Sequence, residues 1–130
     1  MSSEGQIVRR SIGIVFADEG LLALSAARPG GGRGHGDESV AAVLCGPDGA
    51  PVDVSEALLS TEYGPDGVQR RATLELWLAD EDTHPVRGAG SLISASQVNH
   101  QGMTGTVAFF RWALEGREGL GHYEILRGDG

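Results

Sequence analysis

The chain has 130 residues, of which 40% are hydrophobic, with 21 glycines and 5 prolines. This length fits one domain with one core, and the abundance of glycine predicts short elements joined by tight turns. The net charge is −8 and all 10 basic residues are arginine, so the sequence lacks the basic stripes that bind nucleic acid, and its acidity disfavours docking on anionic lipid.

The N-terminal segment Met1–Gln6 is polar and lacks the basic start and apolar core of a signal peptide, and no apolar run approaches the length of a membrane span. We therefore expect residues 1–6 to be disordered and the protein to be cytoplasmic. The single cysteine, Cys45, cannot form an internal disulfide. It ends the apolar run Val40–Cys45, where cysteine usually packs as a small hydrophobic side chain, although activation by a histidine would make it a nucleophile.

Eight strand-like stretches follow along the chain, separated by turn signals such as Asp18-Glu19-Gly20. The stretches lie near Ile7–Ala17, Leu21–Arg28, Ser39–Gly46, Val52–Tyr63, Val68–Ala79, Val86–Val98, Gly105–Leu114 and Leu120–Arg127. Short runs with tight connections force antiparallel neighbours and are typical of a barrel or a sandwich. We predict one all-β domain over residues 1–130, with about eight antiparallel strands.

Two longer polar segments, Pro29–Glu38 and Asn99–Thr104, interrupt this pattern and are predicted to be loops. The glycines of the first segment could cradle an anion, but the segment lacks the Gly-Lys-Ser/Thr ending of a P-loop. It also places Arg33, His35 and Asp37 close together. A mobile lid over a barrel mouth and a solvated surface loop both fit this composition.

Alternation within a strand separates the side chains of its two faces. In the fifth stretch, aliphatic residues occupy one face, and the other face carries polar residues together with Glu75 and Trp77. This alternation predicts a strand whose aliphatic face is shielded from water. Phe109 and Phe110 must point to opposite faces, so one of them needs a cover other than the core, either a dimer partner or a ligand. A hydrophobic lumen could be lined by the aromatic residues, which are Trp77, Phe109, Phe110, Trp112 and Tyr123, although aromatic residues in strands usually form the core.

Ionisable side chains within the strands are the candidates for chemistry. His122 and Glu124 are two positions apart and should share a face, where a buried carboxyl could act as a general acid and the imidazole could relay its proton. A structural hydrogen-bonded pair is the alternative. Arg111 interrupts an apolar run and needs a partner if it is buried, which Glu75 or Glu124 could supply. Such a pair would be either a buried ion pair or the polar anchor of an apolar pocket.

Motifs for metals and common cofactors are missing from the sequence. It contains no HxH, HExxH or cysteine pair, no G-x-S-x-G nucleophile elbow, and no dinucleotide fingerprint after a strand. We therefore predict no metal and no cofactor.

The segment Arg111–Glu124, RWALEGREGLGHYE, resembles the closing hairpin of the lipocalin-like domains in relatives of hydroxyneurosporene synthase, also called carotenoid 1,2-hydratase. Those domains are similar in having a strand, a glycine-rich turn and a glutamate in the final strand, and the turn Tyr63–Gly67 also fits their meander. The resemblance implies a calycin-like barrel that binds an apolar polyene or polyketide-like molecule and protonates it to trigger hydration or cyclisation. Glu124 corresponds to the family's C-terminal glutamate. Known members carry two such units, whereas this chain has about one.

The leading hypothesis is a barrel that encloses a hydrophobic polyene or polyketide-like intermediate and acts as a cyclase or hydratase by acid catalysis. The residues assigned to proton chemistry are Glu124, His122 and Glu75, and those assigned to substrate binding are Arg111, Trp77, Phe110, Trp112 and His35. Arg111 would polarise a carbonyl group. The alternatives are a non-catalytic carrier with the same pocket and an interaction module whose aromatic face forms a homodimer.

Overall fold

The computed structural model describes residues 6–29, 39–79 and 81–129, which form strands joined by short turns. The strands are β1 (Gln6–Phe16), β2 (Leu21–Pro29), β3 (Ser39–Cys45), β4 (Pro51–Tyr63), β5 (Gln69–Leu78), β6 (Glu81–His100), β7 (Met103–Leu114) and β8 (Arg117–Asp129). Each strand pairs antiparallel with the next, and β1 also pairs with β8, so the sheet closes into a barrel. This confirms the predicted all-β class with eight antiparallel strands, and the barrel is consistent with a calycin-like fold. The described residues include no helix that could cross a membrane.

The interior of the barrel is a packed apolar core. Alternation along the strands turns one set of side chains inward, and Ile12 and Ile14 of β1 are at most 2% exposed as a result. The Phe110 ring stacks on Trp112 with 5.2 Å between ring centroids, and it meets Tyr123 edge-on at 5.7 Å. An eight-stranded barrel has an interior just wide enough for side chains to fill, and these side chains fill most of this one.

Strand β6 spans Glu81–His100 and is longer at both ends than the predicted stretch Val86–Val98. The predicted loop Asn99–Thr104 is wrong in its extent, because only two of its residues form the turn between β6 and β7. Gln101 and Gly102 adopt positive φ angles of 49° and 83°. Positive φ at both central residues is what a tight type I′ hairpin requires, so the strands continue up to the turn.

The two ends of the barrel differ. We call the end at which β1 begins the mouth end, and the opposite one the lock end. At the lock end, Arg117 donates from Nε to Asp18 Oδ2 at 2.6 Å and from Nη2 to the Cys45 carbonyl at 3.2 Å, and its guanidinium lies 4.2 Å from the centroid of the Phe16 ring. The hydrogen bond from Arg117, followed by that from the Gly20 N–H, lowers the pKa of Asp18. This cluster ties the β1–β2 turn to β3 and β8.

Strands β3 and β4 are joined by only three residue pairs, all close to the lock end. The pairs run from Val43 with Asp53 to Cys45 with Pro51. The two strands part toward the mouth end, which leaves the inner side of β4 accessible there.

Candidate functional site

A polar cluster lies inside the mouth end of the otherwise apolar barrel. The Tyr123 hydroxyl lies 2.6 Å from Thr61 Oγ1, and Arg10 donates to the same hydroxyl at 3.5 Å. Arg10 also donates to the Leu59 carbonyl at 3.4 Å. Gln69 is 1% exposed and donates through Nε2 to the Tyr123 carbonyl at 3.1 Å. The cluster therefore connects β1, β4, β5 and β8 across the lumen.

The cluster borders a groove with a volume of about 290 Å³. Its lining residues are Val8, Arg10, Leu59, Ser60, Thr61, Tyr63, Ile125 and Arg127. None of these residues is acidic, whereas two of them carry a guanidinium group. Val8, Leu59 and Ile125 supply apolar walls. The volume lies near the lower end of the range for small-molecule sites, roughly 300 Å³ and upward, so the groove suits a small ligand with an apolar body and an acidic or carbonyl oxygen.

Tyr123 is the buried acid of this cluster. Its burial raises the pKa of the phenol above the ordinary value of 10.0. The hydrogen bond with Thr61 and the charge and hydrogen bond of Arg10 act in the opposite direction but do not overcome burial. Tyr123 therefore keeps its proton at neutral pH. A neutral phenol beside a guanidinium can donate a hydrogen bond to a carbonyl or carboxylate oxygen.

Two of the residues predicted from the sequence to form the site, Phe110 and Trp112, point into the barrel and are 0% and 1% exposed. They pack within the core, and neither lines the groove at the mouth end. Trp112 Nε1 is a buried donor for which the described residues provide no acceptor. Their observed contacts are those of core residues, and a contact with substrate stays a prediction.

Five predicted site residues lie on the outer surface of the barrel instead. They are Glu75, Trp77, Arg111, His122 and Glu124. Their neighbours along each strand are the buried ones, so alternation directs these five outward. The prediction that they line a pocket inside the barrel is therefore wrong, since apolar side chains occupy the inner face of the strands at these positions. Their chemical roles stay predictions.

These outward residues are also not brought together. Glu75 forms an ion pair with Arg87 at 2.9 Å rather than with Arg111. Glu75, Arg111 and Glu124 line three different grooves on the outer surface. Arg111 is exposed, so water solvates its charge and it needs no buried partner. His122 lies over Gly13 on the outer face of the β1–β8 pair.

Reasoning from the sequence assigned neither Arg10 nor Tyr123 to the site, although Tyr123 is one of the aromatic residues that could line the lumen. Arg10 lies an even number of positions from the buried Ile12 and Ile14, and Tyr123 lies two positions from the buried Ile125. Extending the alternation of β1 and β8 would therefore have placed both side chains inside the barrel. The last predicted site residue, His35, lies outside the described residues.

Comparison with protein-family models finds no match for this chain, and comparison with curated proteins finds none either. Within residues 6–29, 39–79 and 81–129, no group of three or more histidine, cysteine, aspartate or glutamate side chains could hold a metal ion.

Proposed function

We propose that the protein is a small-molecule-binding β-barrel whose ligand occupies the groove at the mouth end. The observation that carries this proposal is that Arg10 and Thr61, which line the groove, converge on the buried Tyr123 hydroxyl in an otherwise apolar interior. A few convergent polar groups in an apolar cavity are typical of sites that orient a small ligand. The ligand class is an apolar molecule that carries a carboxylate, another acidic oxygen or a carbonyl.

Each groove residue has a separate part in this proposal. Arg127 lies exposed at the rim and attracts the acidic group, and Arg10 receives its oxygen deeper in the groove. The Tyr123 hydroxyl does not line the groove and lies buried behind Arg10 and Thr61. Gln69 fixes the backbone of β8 at Tyr123 and so keeps the phenol in place. The aliphatic walls contact the body of the ligand.

A second candidate function is the cyclase or hydratase that the resemblance to carotenoid 1,2-hydratase relatives implies. The neutral phenol of Tyr123 beside the Arg10 guanidinium favours it, because this pair can polarise a carbonyl or supply a proton. In this version Tyr123, rather than the outward Glu124, is the source of the proton, and its hydroxyl lies directly behind the lining residues Arg10 and Thr61. Tyr123→Phe would then retain binding of a polyene or polyketide-like substrate and lose turnover, whereas Glu124→Gln would retain both.

The binding proposal is tested with two fluorescent probes that share an apolar skeleton and differ in one charged group: anilinonaphthalene sulfonate and neutral N-phenylnaphthylamine. We expect Arg127→Gln and Arg10→Gln each to weaken sulfonate binding about tenfold, the loss expected for one charge-assisted hydrogen bond, with little change for the neutral probe. Fluorescence titration gives both dissociation constants.

Arg111→Gln is the matched control, because it removes the same charge from the outer surface. An equal loss with this control would show that the effect is not specific to the mouth end. Failure of the unmodified protein to bind either probe would also contradict the proposal.

A further inference from the structure

The second half of β6, Leu92–Asn99, has a free edge. Pairing between β5 and β6 stops at Arg71 with Ser91, whereas pairing between β6 and β7 continues to His100 with Met103. A β-bulge between Leu92 and Ser94 coincides with the point at which β6 leaves β5. Among the described residues, no strand pairs with the other side of this segment. One row of its backbone N–H and C=O groups therefore faces outward.

This edge lacks the protection that free strand edges usually have. Natural proteins place lysine, other charges or proline on such edges to prevent pairing with another chain. The segment Ser91–Asn99 reads SLISASQVN and contains no charged residue and no proline, in a chain of which 22% of residues are charged. Strand β4 also extends beyond its pairing with β3, but that segment carries Glu56 and Glu62. If two copies of the protein met there, these acidic side chains would repel each other.

We propose that the edge Leu92–Asn99 pairs antiparallel with the same edge of a second copy and forms a two-fold symmetric dimer. A strand that pairs antiparallel with its own copy makes an isologous contact, so the complementary surface is already present in the second molecule. With a net charge of −8 per chain, two copies approach most easily at an uncharged edge. The pairing would add about eight backbone hydrogen bonds and align serine and glutamine side chains across the axis.

The proposed interface is independent of the proposed ligand site. No residue of Leu92–Asn99 lines the groove at the mouth end. Ile93 is 48% exposed on the free segment, and part of its surface would be covered by the second copy. Loss of the dimer therefore need not affect probe binding. If the ligand proposal failed, the dimer proposal would be unaffected.

The test measures the oligomeric state of the full chain by sedimentation equilibrium over a concentration series. We expect a reversible dimer for the unmodified protein. Ser96→Lys places a cation on the free edge and should raise the dimer dissociation constant about tenfold or more, because the two lysines would lie close together on one face near the axis. Raising the ionic strength should recover part of the loss.

Thr73→Lys is the matched control. Thr73 is also an exposed hydroxyl residue on a strand, but β5 is paired on both sides there, with Ser60 and with Ala89. Both variants change the net charge by one unit, so Thr73→Lys should leave the dimer intact. Circular dichroism establishes that each variant folds.

Amide hydrogen exchange locates the interface. In the dimer, amides of Leu92–Asn99 that point away from β7 should exchange more slowly as protein concentration rises. A monomer at every concentration overturns the proposal, and so does a dimer that Ser96→Lys leaves unchanged or a concentration-dependent protection confined to other strands.

Discussion

Tyr123 is the residue at which burial and charge oppose each other most directly. Burial removes water from the phenolate and raises the pKa of Tyr123, whereas Thr61 and Arg10 stabilise the phenolate. Because the effect of burial is the larger, the folded protein holds the phenolic proton more tightly than the unfolded chain does. This proton is therefore linked to stability.

The pH dependence of stability follows from this linkage. The contribution of Tyr123 is fully present below the ordinary pKa of 10.0 and is lost as the pH rises through the higher folded value. Tyr123→Phe should therefore reduce the loss of unfolding free energy above pH 10.0, as measured by urea unfolding. It should also remove a late ionisation, above pH 10.0, from an absorbance titration of the tyrosines. Tyr63→Phe is the control, and disappearance of the late ionisation in that variant would contradict the assignment.

Spacing within a strand predicted which side chains share a face but not which face is inside. Phe109 and Phe110 do point to opposite faces, at 43% and 0% exposure. Glu124 was assigned to proton chemistry together with His122, with which it shares a face, yet its direct neighbour Tyr123 is the residue that points into the lumen. The alternation of Tyr123 and Ile125 with His122 and Glu124 indicates the inner face of β8, but polar residues on both faces of the strand make this signal weak.

At the scale of the element, the β6–β7 pair depends on a glycine that accommodates a large ring. A Cβ atom on Gly90 would lie 2.5 Å from Trp112 Cε3, and real Cβ atoms do not approach so closely. Trp112 is 1% exposed and is stacked on Phe110, so its ring has little room to move. The two strands can pair at this position only because Gly90 has no side chain.

Gly90→Ala should therefore lower the unfolding free energy by about 1 to 3 kcal/mol, the usual cost of inserting a methyl group into a packed core. Urea unfolding measures the change. Ser91→Ala, at the exposed neighbouring position, should change it by less than about 0.5 kcal/mol. In the double variant Gly90→Ala with Trp112→Leu, the alanine should cost less, because the ring is gone. Equal costs with and without the ring would contradict this account.

Strand positions were predictable because alternation and turn residues are local signals, whereas the cluster at the mouth end is not local. Arg10 and Tyr123 are 113 positions apart in the sequence, and Thr61 and Tyr123 are 62 apart. The first contact depends on the register of the β1–β8 pair, and the second depends on closure of the barrel, which brings β4 opposite β8. Neither of these can be read from one segment.

The whole molecule is closed by its first and last strands. Eleven residue pairs join β1 to β8, from Gln6 with Asp129 to Phe16 with Gly119. The two ends of the described chain therefore lie side by side. In contrast, the turn between β3 and β4 connects the pair of strands with the shortest ladder.

A circular permutant tests this closure. Joining residue 130 to residue 1 leaves six residues between Asp129 and Gln6, enough for a hairpin connection between paired strands. New ends between Asp48 and Gly49 should give a barrel that unfolds cooperatively with an unchanged far-ultraviolet circular dichroism spectrum. New ends between Gln101 and Gly102 open the long β6–β7 hairpin and should lower stability more. A first permutant without cooperative unfolding would contradict the expected tolerance.

Pairing of β1 with β8 also determines when the protein can fold during synthesis. β1 leaves the ribosome first, and its apolar residues Ile12 and Ile14 have no complete core to enter until β8 follows. Until then the chain is at most an open sheet with two unpaired edges, the state in which β-proteins aggregate. Folding is therefore a late event that depends on long-range contacts, and it belongs to the slow class of single-domain reactions.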